Sequence, residues 1–233
     1  MKRREFVKLC GSALAMVYAN PNLLATELAK SSPYNKALLV GKDAKPIKAS
    51  ALASGTSYLF HYPYIGTPAF LINLGKKVAA RTIKNPSSSY QWPGGVGATQ
   101  SIVAFTAICS HQFSYPTKSI SFLNYQHGKS KFAERDQVIV CCAHQTAFDP
   151  TQGASVISGP TKKPLTTIIL EHEPSSDNLY AVGTLGEEQY SEYFRAYKRD
   201  LIQAFGRGKA KQAVEKTTKV VTMEEYSSQR ILC

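Results

Sequence analysis

Two short stretches constrain this chain most: AICSHQFSYP, residues 107–116, and VIVCCAHQTAFDP, residues 138–150. Each places cysteine and histidine close together directly after a β-branched, apolar run. A loop at the end of a strand can point a thiolate and an imidazole in one direction, as a metal centre requires. Cys109 and His111 form a C-x-H pair, and twenty-nine residues separate His111 from Cys141. The second stretch reads two ways. Cys141 with His144 makes C-x-x-H, whereas Cys142 with His144 makes another C-x-H. Spacing alone leaves both readings open.

The chain has 233 residues, enough for one substantial core with terminal extensions. Strand-like runs recur at 57–60, 68–74, 102–108, 137–141, 165–170 and 179–182. Turn signals separate them, among them Asn85-Pro86, Pro93-Gly94-Gly95, Asp149-Pro150 and Gly159-Pro160. Short β-runs with long polar connections predict a mainly β, antiparallel domain over 51–185. Residues 31–50 hold Ser, Pro, Lys and Gly without periodicity and read as a linker. From 187 to 205, Tyr190, Phe194, Tyr197, Leu201 and Phe205 recur at helical spacing, and Gly206 is a sensible stop. The expectation is a C-terminal helical extension whose aromatic stripe docks on the domain, followed by a basic tail, together 186–233.

Formal net charge is +12, and residues 195–230 carry nine Lys/Arg against four Asp/Glu. Such a surface attracts acidic proteins or anionic lipid. Nothing resembles a nucleic-acid module, so no nucleic-acid partner is expected. Five cysteines are an odd number for a disulfide framework, and only Cys109, Cys141 and Cys142 lie in the body. Unpaired body cysteines point to metal ligands.

The C-x-H and C-x-x-H loops resemble those of the Rieske iron–sulfur family, in which two thiolates hold one iron of a [2Fe–2S] cluster and two imidazoles hold the other. Gly159-Pro160 matches the family's proline loop, which covers the cluster. The resemblance implies a Rieske-like antiparallel β-sheet domain with a cluster-binding loop subdomain. It selects Cys141, and with it Cys109, His111 and His144, as ligands of one cluster. Cys142 is then a bystander thiol. Respiratory members tie the two loops with a disulfide, but Ser114 and Ala143 occupy those positions here. Phe113 and Gln145 stand where glycine is usual, implying bulkier loop tips. The high-potential members carry serine and tyrosine hydroxyls where this chain has Thr146 and Phe148. With one hydroxyl donor gone and no inter-loop disulfide, the expected potential lies below that of the respiratory proteins. Two cysteines and two histidines could also close a zinc site, although zinc modules use C-x₂₋₄-C and H-x₃₋₅-H spacings. A zinc-stabilised exported binding domain is therefore the reading from a different class.

The opening MKRREFVKLCGSALAMVYAN resembles a twin-arginine export signal, with Arg3-Arg4, Phe6 and Lys8 ahead of an apolar stretch. Residues 1–30 thus read as a signal or N-terminal membrane anchor, and the location implied is the periplasm or the periplasmic face of the inner membrane. The functional expectation is an electron-transfer protein or oxidoreductase subunit rather than a stand-alone catalyst. Its partner would be a cytochrome-like acceptor or a larger oxidoreductase subunit. The alternative is the iron–sulfur subunit of a quinol–cytochrome c reductase, with quinol as donor.

Overall fold

The segments PAFLIN and IVAFT carry apolar residues at nearly every position, so as strands they must be covered on both faces. The computed structural model, which describes residues 31–86 and 88–233, shows this arrangement. Strands β2 (Ser57–His61), β3 (Pro68–Asn73) and β6 (Ile102–Thr106) pair antiparallel at the centre of an eight-stranded sheet. Phe70, Ile72, Val103 and Phe105 face one core, and Ala69, Leu71, Ile102 and Ala104 face another, as a two-residue repeat demands. β11 (Thr167–Glu173), β12 (Asn178–Leu185), β1 (Ser31–Val40) and β13 (Thr217–Lys219) continue the sheet on one side, and β14 (Val221–Thr222) flanks β2 on the other. Only Val220 separates β13 from β14, so one short segment joins the two edges and curls the sheet toward closure. Thr218 fastens the join by exchanging hydrogen bonds with the backbone of His61.

A four-stranded antiparallel sheet, β10-β9-β8-β7, covers the first core. It comprises β7 (Leu123–Gln126), β8 (Val138–Cys141), β9 (Thr146–Asp149) and β10 (Ser155–Ser158). The hairpin of β4 (Arg81–Lys84) and β5 (Ser89–Trp92) adds Ile83, Tyr90 and Trp92 to the same core. The mainly β, antiparallel architecture with a loop-bearing subdomain is as expected.

Three local expectations are corrected. Residues 31–40 are not linker: they form β1, antiparallel to β12 and parallel to β13. Burial of Ala37 and Leu39 in the second core outweighs the polar first half of the segment. The helix expected over 187–205 is two helices, α1 (Tyr190–Ala196) and α2 (Lys198–Phe205), broken at Tyr197. Glu187 and Glu188 stay outside them because Lys163, Tyr34 and Thr184 engage their carboxylates. Gly206 ends α2 with its N–H on the Ile202 carbonyl and a positive φ of 92°. The basic segment beyond is no free tail either. Val220, Met223 and Tyr226 are buried, and a capping box between Thr222 and Glu225 opens the turn α3 (Met223–Tyr226). Among the described residues no helix is long and apolar enough to cross a membrane. The expected signal or anchor at 1–30 lies outside the described residues.

Candidate metal centre

The first loop leaves β6 after Thr106, where the N–H groups of Thr106 and Ala107 are held by the carbonyls of Thr166 and Pro68. Cys109 is fully buried at the end of the core, and its N–H donates to the Ser114 carbonyl while Phe113 N–H returns to its own carbonyl. The second loop is a hairpin tip. Cys141 pairs with Thr146 across β8 and β9, leaving Cys142, Ala143, His144 and Gln145 as the turn, with His144 N–H on the Cys141 carbonyl at 3.3 Å.

This hairpin settles which cysteine is available. Successive side chains on a strand point to opposite faces. Cys141 therefore follows Ile139 into the core that holds Cys109, whereas Cys142 follows Val138 and Val140 to the other face. There Cys142 forms a disulfide with Cys233, so the bystander-thiol reading is corrected. Cys109 and Cys141 are the free cysteines of the described residues, and both are buried.

The donor atoms of Cys109, Cys141 and His144 lie within 4.8 Å of one another. The rings of His111 and His144 meet edge to face with centroids 5.0 Å apart. The Nδ1 atom of His111 is buried without a hydrogen-bond partner, and such orphans are costly unless something binds them. His111 stands outside the close trio, however. A single zinc ion, with donors about 2.0–2.3 Å from the metal, requires all four donors mutually close. Two thiolates and two imidazoles spread over a wider span suit a two-iron group held by Cys109, Cys141, His111 and His144.

The sulfurs also prepare the site electrostatically. Cys141 Sγ lies 3.8 Å from His144 Nδ1; the neighbouring Cys109 sulfur first, and the His144 backbone and ring after it, hold the Cys141 thiol below the usual cysteine range. Cys109 is correspondingly raised, by that same pairing first and by burial second.

The third loop follows β10 and packs on the second. Gly159 has φ 118°, and a Cβ there would lie 2.7 Å from Thr146 Cα and 2.8 Å from the Gln145 carbonyl oxygen. Only glycine allows that approach. Pro160, next to it, is exposed. Ser110 ties the first loop to the third by donating to the Lys163 carbonyl at 2.6 Å. The Thr146 hydroxyl donates to the His144 carbonyl at 3.3 Å, fixing the histidine backbone, and Phe148 is buried opposite Ile139 in the core. Sequence reasoning missed the aromatic support of the first loop. Tyr115 packs edge to face on Tyr193 and Tyr197, with centroids 5.1 and 4.8 Å apart, and Phe113 joins the same cluster. The aromatic spacing in 187–205 was its available signal.

Comparisons with known proteins agree with this geometry. Residues 87–169 match the Rieske [2Fe-2S] domain family model. The iodate reductase subunit IdrB of Pseudomonas sp. (strain SCT) is 30% identical over 188 residues, covering 80% of this chain and 80% of that protein. The iodate reductase subunit IdrB of Denitromonas iodatirespirans is 30% identical over 186 residues, covering 80% of this chain and 82% of that protein. Among solved structures, the soluble domain of Rieske protein II (soxF) from Sulfolobus acidocaldarius aligns with a TM-score of 0.49 and 23% identity, covering 66% of this chain and 82% of that one. On the ligand loops, the family match and the two IdrB relatives, the chain belongs to the Rieske [2Fe–2S] protein family.

Proposed function

We propose that this protein is the small electron-transfer subunit of a larger oxidoreductase, exported by the twin-arginine route and working on the periplasmic side. The single observation that carries the reading is the asymmetry of the ligand set. Cys109 and Cys141 are sealed in the core, whereas His111 and His144 are only half-buried, in the loops. The bound [2Fe–2S] cluster supplies one-electron chemistry, and mixed His/Cys ligation places its potential at about −150 to +300 mV. The chain's own part is to hold two imidazoles where a partner can approach them and to keep water from the cysteine side. Both cysteines belong to the buried cluster that also holds Phe148, Trp92 and Phe105.

The relatives' description as subunits of iodate reductase supports a larger partner. The surface beside the first loop supports an acidic one. Arg195, Lys198, Arg207 and Lys211 surround an apolar floor that includes Phe194, Leu201 and the 39% exposed Ile202. Helix α1 of this face rests directly on Tyr115 of the ligand loop. An acidic face of the partner subunit would be steered there, and salt would weaken the encounter.

The test is a visible and low-temperature EPR spectrum of the full chain before and after dithionite, followed by sedimentation of the purified native complex. A reduced-state signal of low average g, and co-migration with a larger redox-active subunit that dissociates as salt rises, are expected. A colourless, zinc-containing protein after expression with ample iron would overturn the electron-transfer reading. A red-brown protein that sediments alone at every salt concentration would overturn the subunit reading.

A further inference from the structure

The Cys142–Cys233 disulfide has no part in the electron-transfer reading, yet it is attached to the residue that follows a cluster ligand. The segment 229–233 lies beside the entry to β7 as a strap. Ser121 N–H donates to the Gln229 carbonyl and Ile231 N–H to the Ser121 carbonyl, at 2.8 and 2.9 Å. The Asn124 amide donates to the Ile231 carbonyl, and Ser130 Oγ and the Gln126 amide donate to the Cys233 carbonyl oxygen. One side of the strap is therefore held by hydrogen bonds to β7 and its flanks, and the other by a covalent bond to the hairpin tip that carries His144.

We propose that this disulfide is an oxidative lock on the second ligand loop: Cys142 and Cys233 act as positioning residues through Cys141 and His144, and the bond closes after the cluster is in place. The proposal rests on the chain holding a cluster. The order follows from the neighbourhood of the sulfurs. The sulfurs of Cys109 and Cys141 lie within 4.8 Å of each other and both are free thiols, so an oxidant meeting the empty site would join them as well and block it. Once those two sulfurs are ligands, Cys142 and Cys233 are the thiols left free in the described residues. Both are half-buried, hence reachable. A disulfide-bearing oxidant is attacked by one of these thiolates and releases its first thiol. The second cysteine then attacks the mixed disulfide and releases the second thiol. Two electrons and two protons leave with the oxidant, now two thiols, and one S–S bond is gained in the protein. Export of the loaded, folded chain into an oxidising compartment would impose this order.

The test uses the full-length, cluster-loaded protein. Peptide mapping without reductant should show 142 linked to 233. Cys233→Ala, which lies far in sequence from the ligand loops, and Cys142→Ala should each lower Tm by on the order of 10 °C. Each should also release iron to a ferrous chelator about tenfold faster, because local opening of the hairpin becomes easier. The double variant should match either single one, since only one bond is lost. Mild reduction of the wild type should reproduce these effects and re-oxidation reverse them. Apo-protein oxidised first should show a 109–141 link and take up no cluster until reduced. Free thiols at 142 and 233 in the loaded protein, or iron release at the wild-type rate in Cys233→Ala, would overturn the lock. Equal cluster uptake by oxidised and reduced apo-protein would overturn the order. Absence of any cluster in the wild type would instead count against the electron-transfer reading.

Discussion

The two ligand loops do the same work, presenting one cysteine inward and one histidine outward, and are held by different forces. The first is supported by packing: Phe113 and Tyr115 lie in an aromatic cluster with Tyr193 and Tyr197 of the helical extension. The second has an exposed tip with little to pack against, and is held by hairpin register, by the approach of Gly159 and by the disulfide at Cys142. The difference shows in one backbone feature. Phe113 and Gln145 both adopt positive φ, 61° and 48°, at the positions where glycine is usual in the family. At Phe113 the strain is offset by packing of the partly buried ring on the aromatic cluster. At Gln145, which is exposed, no comparable burial offsets it.

Removing a ligand breaks both loops alike and has the largest effect. Cys109→Ser or Cys141→Ser should abolish the visible and EPR signals of the cluster while leaving a folded β domain by circular dichroism. Next is the support of the first loop. Tyr193 is fully buried and its hydroxyl donates to the Gly66 carbonyl at 2.9 Å, so Tyr193→Ala should cost about 3–5 kcal/mol in denaturant unfolding. Gly159→Ala strikes the second loop from the third: the added methyl must displace Thr146 or the Gln145 carbonyl, destabilising by about 1–3 kcal/mol and accelerating iron release.

Acidification probes the helical side through His61. His61 packs against Phe205 and Tyr226, and burial first, with Lys118 second, lowers it to about 4. The unfolded chain takes up this proton near pH 6.5 and the folded one only near 4. Its contribution is therefore complete above about pH 6.5 and is lost as pH falls toward 4, by about 1–3 kcal/mol. His61→Gln should flatten that part of the stability–pH profile. The smallest effect discriminates best, because one substitution should have opposite signs in the two loops. Gln145→Gly should stabilise by about 0.5–1 kcal/mol by relieving a left-handed non-glycine residue. Phe113→Gly relieves the same strain but strips the ring from the aromatic cluster, and should destabilise by about 1–3 kcal/mol. Equal signs in thermal melts would refute the contrast between packed and unpacked loops.

Several features were legible in the residues themselves. Continuous apolar runs at β3 and β6 announced strands covered on both faces, because a strand's neighbours are written into its two-residue repeat. The two Cys/His spacings narrowed the candidate ligands to Cys109, His111, His144 and one of Cys141 and Cys142, since a loop leaving a strand has a limited reach. Gly206 ended a helix and Gly159 lay against a ligand loop because some backbone conformations admit little but glycine. Other features depended on contacts between residues far apart in the chain, which carry no local periodicity. β1 is a strand because β12 and β13 flank it, although half its residues read as linker. The basic C-terminal segment is ordered because three apolar anchors, Val220, Met223 and Tyr226, reach the two cores of the β domain. The choice between Cys141 and Cys142 was open in the spacing. It was decided by the register of β8 against β9, which turns one sulfur toward Cys109 and the other toward Cys233. Local sequence thus specified which residues could bind metal. Only the tertiary structure, by fixing which face of a strand looks inward, determined which of them are free to do so.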